Sequence, residues 1–249
     1  MNDYRDFGYY YDDIMQELDY YDWVDYTLDF CNKKSKILDL ACGSLTFAII
    51  MAQEGYNISG LDLSDTMLEV GRQKAKMNHV LIPLYHMDMT NFKIDSKFDI
   101  ITCYFDSFNH LPTKEMVLDS LKCCYDHLEE GGLLLLDIFS HKAYLESIKD
   151  LEKESLSCNY RWKIDLESPN ILHHHLDIKS DDDEISEDYY EYYYPLELFT
   201  ENPLFQVVNI SGDFENYYDK DSLRVLLALK KRWKVHNNSE LFYFTDIKK

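Results

Sequence analysis

The hydrophobic pattern in the first half of the chain alternates between short apolar runs of strand length and longer segments with helical spacing. The first run covers Ile37–Leu40, and a second, over residues 57–61, ends in Asp62. Between them lie a turn of small residues and an apolar segment of helical length, Leu45–Ala52. This order of strand, turn, helix and strand is typical of a nucleoside-cofactor site, where the turn admits the cofactor and the acid binds ribose hydroxyls.

Three more strand-like runs follow at residues 80–85, 98–105 and 133–139, with helical segments between them. The clearest helix has apolar residues at i, i+4, i+7 and i+11, namely Val117, Leu121, Cys124 and Leu128. Gly131 and Gly132 are expected to end this helix and to start the fifth strand. Five strands that alternate with helices predict a largely parallel sheet covered on both faces.

The remaining pattern predicts elements on either side of this unit. Helical spacing from Asp12 to Leu28 predicts a helix that packs on the sheet edge or covers the cofactor. From about Tyr160 the period changes to two, and turns divide the stretch into three antiparallel strands. Apolar runs at residues 205–210 and 222–231 predict two closing antiparallel strands.

Together these elements predict an α/β fold: a Rossmann-like, doubly wound, mostly parallel seven-stranded sheet with an antiparallel C-terminal hairpin and an inserted three-stranded antiparallel lid. Residues 1–156 are expected to form the cofactor-binding core with its N-terminal helical cover. Residues 157–196 would form the lid, and residues 197–249 the closing strands and a C-terminal tail. In the last part, residues 232–249 are expected to add a short strand and the tail.

The charge and cysteine content narrow the classes of partner. Acidic residues outnumber basic ones by 46 to 25, so the formal charge is −21, and such a surface repels nucleic acid. The sequence opens without a basic and apolar leader, and no apolar stretch reaches the ~18 residues that span a bilayer. The six cysteines lack CxxC or disulfide-framework spacing, which favours free thiols in a cytoplasmic protein.

Two polar stretches resemble metal sites without meeting their requirements. His173, His174 and His175 are consecutive in a predicted strand, where alternation sends His174 to the opposite face. The acidic turn at residues 181–184 lacks the glycine and the ligand spacing of a calcium loop. We therefore predict no metal site.

Acidic residues recur at the ends of the predicted strands. Ligands in parallel sheets bind beyond the carboxyl ends of the strands, so a ligand site is expected where these acids lie. The five acids are Asp39, Asp62, Asp88, Asp106 and Asp137.

Five motifs in sequence carry a resemblance to a known family. They are DLACG at 39–43, the acid at Asp62, HMDM at 86–89, FDIITCYFDSFNHL at 98–111 and EEGGLLLLDIFS at 129–140. In order and spacing they resemble class I S-adenosylmethionine-dependent methyltransferases, in the small-molecule branch with glycine N-methyltransferase-like enzymes and unassigned bacterial relatives. The resemblance covers residues 9–140 and implies methyl transfer from S-adenosylmethionine to a small-molecule N or O acceptor, with S-adenosylhomocysteine as product.

The resemblance also implies a cofactor-binding role for individual residues. Asp39 would orient the amino group of the methionine part, Asp62 would bind the ribose hydroxyls, and Asp88 would contact the adenine amino group. The other residues expected at the cofactor are Tyr11, Ala41, Gly43, Leu63, Met67, Met89 and Tyr104.

The resemblance says less about which residues bind the methyl acceptor. Removing a proton from an acceptor amine or hydroxyl asks for a nearby base, and Asp106 and His110 are the candidates. Asn109 and Tyr11 would orient the acceptor. The tyrosines of residues 190–194 would form an aromatic wall for a cation or the interior of the lid.

One position departs from the family pattern, which usually has glycine where this chain has Leu45. If residue 45 needs a positive φ, leucine costs ~1–2 kcal/mol there, so either the turn is rebuilt or cofactor affinity falls. The alternative function is therefore a non-catalytic cofactor-binding or scaffold protein. A nicotinamide-dependent dehydrogenase is disfavoured, because ACGSLTF lacks the glycines of GxGxxG that pyrophosphate needs.

Overall fold

A computed structural model describes residues 6–215 and 217–233 of the chain. The strands are β1 (Lys36–Leu40), β2 (Asn57–Asp62), β3 (Leu84–His86), β4 (Phe98–Cys103), β5 (Leu128–Phe139), β6 (Lys149–Glu154), β7 (Asn159–Ser168), β8 (Ile171–Lys179), β9 (Glu184–Tyr192), β10 (Phe205–Gly212) and β11 (Arg224–Lys231). The predicted C-terminal strand and tail from residue 234 onward lie outside the described residues.

Seven short to medium helices and two 3₁₀ turns, at Phe7–Tyr9 and Ser107–His110, are described before and between these strands. The α-helices are α1 (Tyr11–Ile14), α2 (Tyr21–Leu28), α3 (Thr46–Gln53), α4 (Asp65–Met77), α5 (Lys114–His127), α6 (His141–Glu146) and α7 (Glu197–Thr200). No helix in the described ranges is long and apolar enough to cross a membrane.

The main sheet has seven strands in the order β10–β11–β5–β4–β1–β2–β3. Strands β1 to β5 are parallel, whereas β11 runs antiparallel to both β5 and β10. The predicted seven-stranded, mostly parallel sheet with an antiparallel C-terminal hairpin is therefore confirmed. Because β1 lies between β2 and β4, the strand order reverses beside β1, and its carboxyl end is where such sheets bind ligands.

Helices cover both faces of this sheet, which explains why β1 reads as an almost continuous apolar run. On one face, Leu38 and Leu40 pack with Val117 and Leu121 of α5. On the other face, Ile37 packs with residues of α2 and α3. Thr113 caps the N-terminus of α5, where its hydroxyl accepts the N–H of Met116.

The boundaries of three elements differ from the prediction. The N-terminal helix is divided into α1 and α2, because the side chain of Asp19 accepts the N–H of Tyr21 and starts a new helix there. Strand β3 begins only at Leu84, since the preceding Pro83 has no N–H to donate to a ladder.

Strand β5 begins at Leu128 rather than after the glycine pair. The pairing of β5 with β4 is interrupted between Phe98 and Ile100, which face Leu128 and Leu133. Gly131 lies in this interruption at φ 78°, a conformation that glycine adopts without strain. The glycines therefore permit an irregularity inside the strand and do not mark its start.

A second sheet is formed by the part of the chain that connects β5 to β10. It contains four antiparallel strands in the order β6–β7–β8–β9, so the predicted three-stranded lid is corrected to four strands. The added strand, β6, begins at Lys149, inside the range expected for the core. Almost all of its side chains are exposed and charged, so the hydrophobic pattern carries no signal for it.

Two groups of contacts attach the second sheet to the carboxyl edge of the main sheet. The side-chain amide of Asn109 donates to the backbone oxygen of Tyr192 at 2.8 Å, and the hydroxyl of Tyr194 donates to the oxygen of Leu111 at 2.5 Å. At the N-terminal segment, Phe7 packs against the apolar face of the second sheet, and its N–H donates to Glu187. The sheet thus lies over the end of β4, beside the predicted ligand site.

Candidate functional site

The turn after β1 is built from left-handed backbone. Ala41, Gly43 and Leu45 have φ values of 56°, 51° and 68°. The turn is therefore not rebuilt to suit leucine, and Leu45 carries the strain expected of a side chain in this region, ~1–2 kcal/mol.

The Leu45 side chain is fully buried and is absent from the walls of the cavity at this turn. It occupies space left by two glycines of neighbouring elements. A Cβ at Gly60 would lie 3.0 Å from Leu45 Cδ2, and a Cβ at Gly71 would lie 2.6 Å from Leu45 Cγ. The side chain that could have crowded a cofactor thus packs between β2 and α4, and apolar burial offsets the backbone strain.

Asp62, at the end of β2, fixes the turn from the other side. Its Oδ2 accepts the N–H of Gly43 and its Oδ1 accepts the N–H of Ser64, both at 2.8 Å. Burial raises the pKa of Asp62, although these backbone N–H groups oppose the shift. Each carboxylate oxygen keeps a second lone pair, so the group can still accept hydrogen bonds from a ligand.

Asp39 is a second buried acid at the same edge. Its Oδ1 accepts the hydroxyl proton of Thr102 at 2.8 Å. Burial raises the pKa of Asp39 to about 7, with the nearby Asp62 adding to the shift and Thr102 opposing it. A cation bound beside the two acids would favour their ionised forms.

These groups border a cavity of about 960 Å³, counting its open mouth, which is within the size range of a cofactor pocket. Nine of the ten predicted cofactor residues line it: Tyr11, Asp39, Ala41, Gly43, Asp62, Leu63, Met67, Met89 and Tyr104. Several further residues line the cavity that were not predicted from the sequence, including Tyr20, Ser44, Thr46, Phe47, Met87 and Phe105. Met87 and Phe105 lie inside the quoted motifs and Ser44 and Thr46 follow the first of them, whereas Tyr20 had no local signal.

Asp88 is the predicted cofactor residue that is not in the wall. Its Oδ1 accepts both the N–H and the hydroxyl of Thr90, each at 2.8 Å, so the side chain caps the turn after β3. The flanking Met87 and Met89 do line the cavity. The contact of Asp88 with a base stays a prediction, and its observed role is that of a turn cap.

The N-terminal segment covers this cavity and is attached to the turn. Asp12 of α1 accepts the hydroxyl of Ser44 at 2.5 Å and pairs with Lys74 of α4 at 2.6 Å. Beside α1, Tyr20 packs on Phe105 with ring centroids 4.7 Å apart. Burial raises the pKa of the Tyr20 hydroxyl to about 12, so this side chain is a neutral part of the cover.

A second cavity, of about 710 Å³ with its mouth, lies between the carboxyl edge of the main sheet and the second sheet. Tyr11, Phe105 and His110 line both cavities. The two spaces are therefore adjacent, and His110 is at their junction. Aromatic rings of Phe7, Trp162 and Tyr189 form much of the remaining wall.

Asp106, one of the predicted bases, belongs to a buried charge cluster on the floor of the second cavity. Arg224 Nη1 lies 3.1 Å from Asp106 Oδ1 and also contacts Asp137 Oδ2. Asp137 is fully buried, at 0% exposure. Burial raises the pKa of Asp106, and the guanidinium of Arg224 opposes that shift.

His110, the other predicted base, faces an acid of the second sheet that the pattern analysis missed. His110 Nε2 lies 4.0 Å from Glu191 Oε1, and His174 Nε2 lies 3.3 Å from Glu191 Oε2. His174 is therefore turned to the interior, opposite to His173 and His175, which both pair with Asp188. An inward acid in a tyrosine-rich strand gives no local signal, because alternation cannot distinguish a ligand contact from a surface position.

Comparison with known proteins identifies the domain to which the first cavity belongs. Residues 37–132 match a family profile described as a methyltransferase domain. A presumed methyltransferase of Geobacillus sp. (strain WCH70) is 36% identical over 146 residues, which are 55% of this chain and 58% of that protein. The presumed methyltransferase YqeM of Bacillus subtilis (strain 168) is 32% identical over 149 residues, 59% of this chain and 60% of that protein. The matches thus span less than two thirds of these relatives.

Solved structures extend the likeness to the whole fold. An S-adenosylmethionine-dependent methyltransferase from Clostridium acetobutylicum ATCC 824 has a TM-score of 0.79 and 24% identity over 92% of this chain and 99% of its own. CalS10, an amino pentose methyltransferase from Micromonospora echinaspora solved with bound S-adenosylmethionine, has a TM-score of 0.67 and 16% identity over 87% of this chain and 93% of its own. These findings confirm the class I methyltransferase fold and the resemblance read from the motifs.

Proposed function

We propose, from the methyltransferase domain at residues 37–132, that this chain transfers a methyl group from S-adenosylmethionine to a small-molecule N or O acceptor. The observation that carries the proposal is the pair of adjacent cavities that share Tyr11, Phe105 and His110. One cavity has the acids of a nucleoside-cofactor site, and the other is enclosed by the second sheet. The cofactor would occupy the first cavity and the acceptor the second.

The residues around the first cavity fit the parts of S-adenosylmethionine. Asp62 would accept the ribose hydroxyls with the lone pairs that Gly43 and Ser64 leave available. Asp39 would favour the positively charged amino group and sulfonium of the cofactor. The apolar side chains of Leu63 and Met67 would contact the base.

Bound S-adenosylmethionine supplies an electrophilic methyl group on a sulfonium, and the protein has to orient an acceptor toward it. Such a displacement gains its rate mainly from alignment of the two reactants in a cavity that excludes water. Tyr11 and Phe105, which lie in both walls, would close the junction to water. S-adenosylhomocysteine would be the product.

Of the two predicted bases, His110 is the better placed to take a proton from the acceptor. It lies at the junction of the cavities, whereas Asp106 lines only the second and is held by Arg224. Glu191, 4.0 Å from His110 Nε2, would stabilise the imidazolium that forms. Asp106 would then hold the floor of the acceptor cavity.

The comparisons support a small acceptor of either kind. Similar proteins include a dTDP-3-amino-3,4,6-trideoxy-alpha-D-glucopyranose N,N-dimethyltransferase of Streptomyces venezuelae, 30% identical over 103 residues, and a ubiquinone biosynthesis O-methyltransferase of Glaesserella parasuis, 32% identical over 118 residues. The enclosed second cavity and the formal charge of −21 favour a small molecule over nucleic acid. A cytoplasmic location is proposed with it.

Calorimetry with S-adenosylmethionine, S-adenosylhomocysteine and NAD tests the cofactor. We expect both sulfur compounds to bind and NAD to give no heat. No binding of either sulfur compound at millimolar concentration would contradict the proposal, whereas binding of NAD alone would support a dehydrogenase.

Release of S-adenosylhomocysteine in the presence of pooled small amines, phenols and alcohols then tests turnover. We expect a product that gains one methyl group in mass. Binding without turnover across these pools would favour the non-catalytic alternative. The reason for that alternative was that Leu45 could crowd the cofactor, whereas the Leu45 side chain is packed away from the cavity.

A further inference from the structure

The second cavity contains a buried carboxylate whose part in the methyl transfer proposed above begins only once His110 has been protonated. Glu191 is 6% exposed and lines the cavity. Within the described part of the chain, its ion pairs are with His174 and His110 and with no lysine or arginine. Although His174 Nε2 is 3.3 Å away, neither it nor Glu191 Oε2 has a hydrogen-bond partner of acceptable geometry.

Of the permanent cations that line the cavity, Lys149 interacts with the charge of Glu191 but forms no ion pair with it. Arg224 contacts both other buried acids, Asp106 and Asp137. A buried carboxylate is costly unless it is paired, so the site favours a ligand that brings a positive charge. Burial opposes ionisation of Glu191, but His174 and His110, with a smaller contribution from Lys149, keep the pKa of its carboxyl below the usual range.

The walls beside Glu191 also suit an organic cation. Tyr189 stacks on His174 with ring centroids 4.4 Å apart, and its ring centroid is 6.3 Å from that of Trp162. Electron-rich ring faces attract ammonium groups. The chain itself gives an example, because the ammonium of Lys149 lies 4.4 Å from the centre of the Trp162 ring.

We propose that Glu191 binds the ammonium group of the methyl acceptor, so that the acceptor is a small amine. This inference rests on the proposed methyl transfer and selects N over O as the acceptor atom. The ammonium gives one proton to His110 Nε2, and the freed lone pair of nitrogen forms the new N–C bond. The S–C bond breaks with its electron pair left on sulfur, giving S-adenosylhomocysteine and a methylated ammonium.

A divalent metal ion is the competing cation. Ligand atoms of Asp106, His110 and Glu191 all lie within 4.8 Å of one another, a spacing that could hold such an ion. The guanidinium of Arg224, 3.1 Å from Asp106 Oδ1, would repel a metal at this point. The rings of Phe7 and Trp162 in the same wall likewise favour an organic ammonium, since they offer a metal no ligand.

Binding of cyclohexylamine and of cyclohexanol, which share one ring and differ in charge, tests the proposal. In the complex with S-adenosylhomocysteine, we expect the protonated amine to bind at least about tenfold more tightly than the alcohol, as measured by calorimetry. Glu191→Gln should abolish this preference and leave the affinity for S-adenosylhomocysteine unchanged. Glu184→Gln, a change at an exposed position of the same strand, should alter neither.

Lys149→Met should raise the affinity for cyclohexylamine, whereas Glu191→Gln lowers it. A folding defect would not raise this affinity. Lys149 lines the cavity, and its charge interacts with Glu191. Removing this competing ammonium should tighten binding of cyclohexylamine by about twofold or more, with little effect on cyclohexanol.

Equal affinity of the protein for amine and alcohol would overturn the ammonium site, and so would a preference for the amine that survives Glu191→Gln. Binding of Mn²⁺ or Zn²⁺ that is lost in Glu191→Gln, with no binding of the amine, would overturn it as well. Failure of the wild-type protein to bind S-adenosylhomocysteine would instead contradict the proposed methyl transfer, so the two failures are distinguishable.

Discussion

Two turns at the carboxyl edge of the sheet build the candidate site, and they are held in different ways. The turn after β1 has left-handed residues at Ala41, Gly43 and Leu45, and the turn after β4 has them at Phe105 and Asp106. Gly43 is fixed by Asp62, 19 residues away, whereas Asp106 is fixed by Arg224, 118 residues away. The cofactor half of the site is thus held by a contact between residues close in sequence, and the acceptor half by a contact between residues far apart in sequence.

This difference makes the acceptor turn the more vulnerable to a single distant change. Arg224→Met would leave Asp106 and Asp137 buried without their cation, which typically costs about 3–5 kcal/mol. We expect urea unfolding at neutral pH to show a loss of this order. The loss should shrink in acid, where the two carboxyls can be protonated.

Arg161→Met is the matched control, because Arg161 also pairs with an acid, Asp150, but on the exposed surface of the second sheet. Its cost should be a small fraction of the cost of Arg224→Met, because solvent screens an exposed pair. A similar cost for both variants would show that the Arg224 cluster does not hold the acceptor turn.

On the cofactor half, we expect Asp62→Asn to weaken binding of S-adenosylhomocysteine by roughly 30- to 100-fold, or about 2–3 kcal/mol. The new amide would face the N–H of Gly43 or of Ser64 with a second donor. Asp88→Asn should change the affinity less than about threefold, because Asp88 caps Thr90 outside the cavity wall. Calorimetry that gave the reverse order would place base recognition at Asp88, as the motif implied.

The same contrast explains how much of the molecule the sequence could predict. The parallel sheet follows from local apolar runs, and the nine cofactor residues that line the cavity follow from the family resemblance. Apart from Tyr11 and Met67, which are in helices, these nine lie in or shortly after a strand that the apolar runs mark. Arg224 and Glu191 carried no such mark. Arg224 reaches Asp106 because β11 pairs with β5, and Glu191 of β9 reaches His110 because the second sheet packs on the main sheet.

Strand β6 was missed for a related reason. Its side chains are charged on both faces, and it is held by the backbone ladder to β7 and by the pair of Arg161 with Asp150. A hydrophobic pattern detects only strands that bury a face. The hydrophobic pattern therefore does not predict a strand at the solvent-exposed edge of a sheet.

A smaller effect on the free energy of unfolding is expected at Leu45, which stands in the cofactor turn where the family usually has glycine. Leu45→Gly would relieve ~1–2 kcal/mol of backbone strain. It would also open a cavity between Gly60 and Gly71, and large-to-small core changes cost ~2–5 kcal/mol. We expect a net loss of roughly 1–3 kcal/mol in urea unfolding.

The affinity of Leu45→Gly for S-adenosylhomocysteine should stay within about twofold of the wild type, since Leu45 is not in the cavity wall. Tighter binding by the glycine variant would instead mean that leucine impairs the cofactor site. Ile49→Ala, in α3 on the same face of the sheet, serves as a control for cavity formation away from the turn.

The smallest effect concerns the pH dependence of Asp39. Its pKa in the folded protein, about 7, is raised by burial from the ordinary value of 3.8. The folded state therefore holds this proton more tightly than the unfolded chain, and the stability that the protonated acid contributes is lost as pH rises from about 4 through about 7. Asp39→Asn, which stays neutral, should come closest to the wild type at about pH 4 and melt several degrees higher at about pH 8 without ligand. Thermal scans of both proteins, with exposed Asp65→Asn as control, measure this difference. An equal difference at the two pH values would show that Asp39 ionises normally, and the cofactor cavity would then be as solvated as its open mouth.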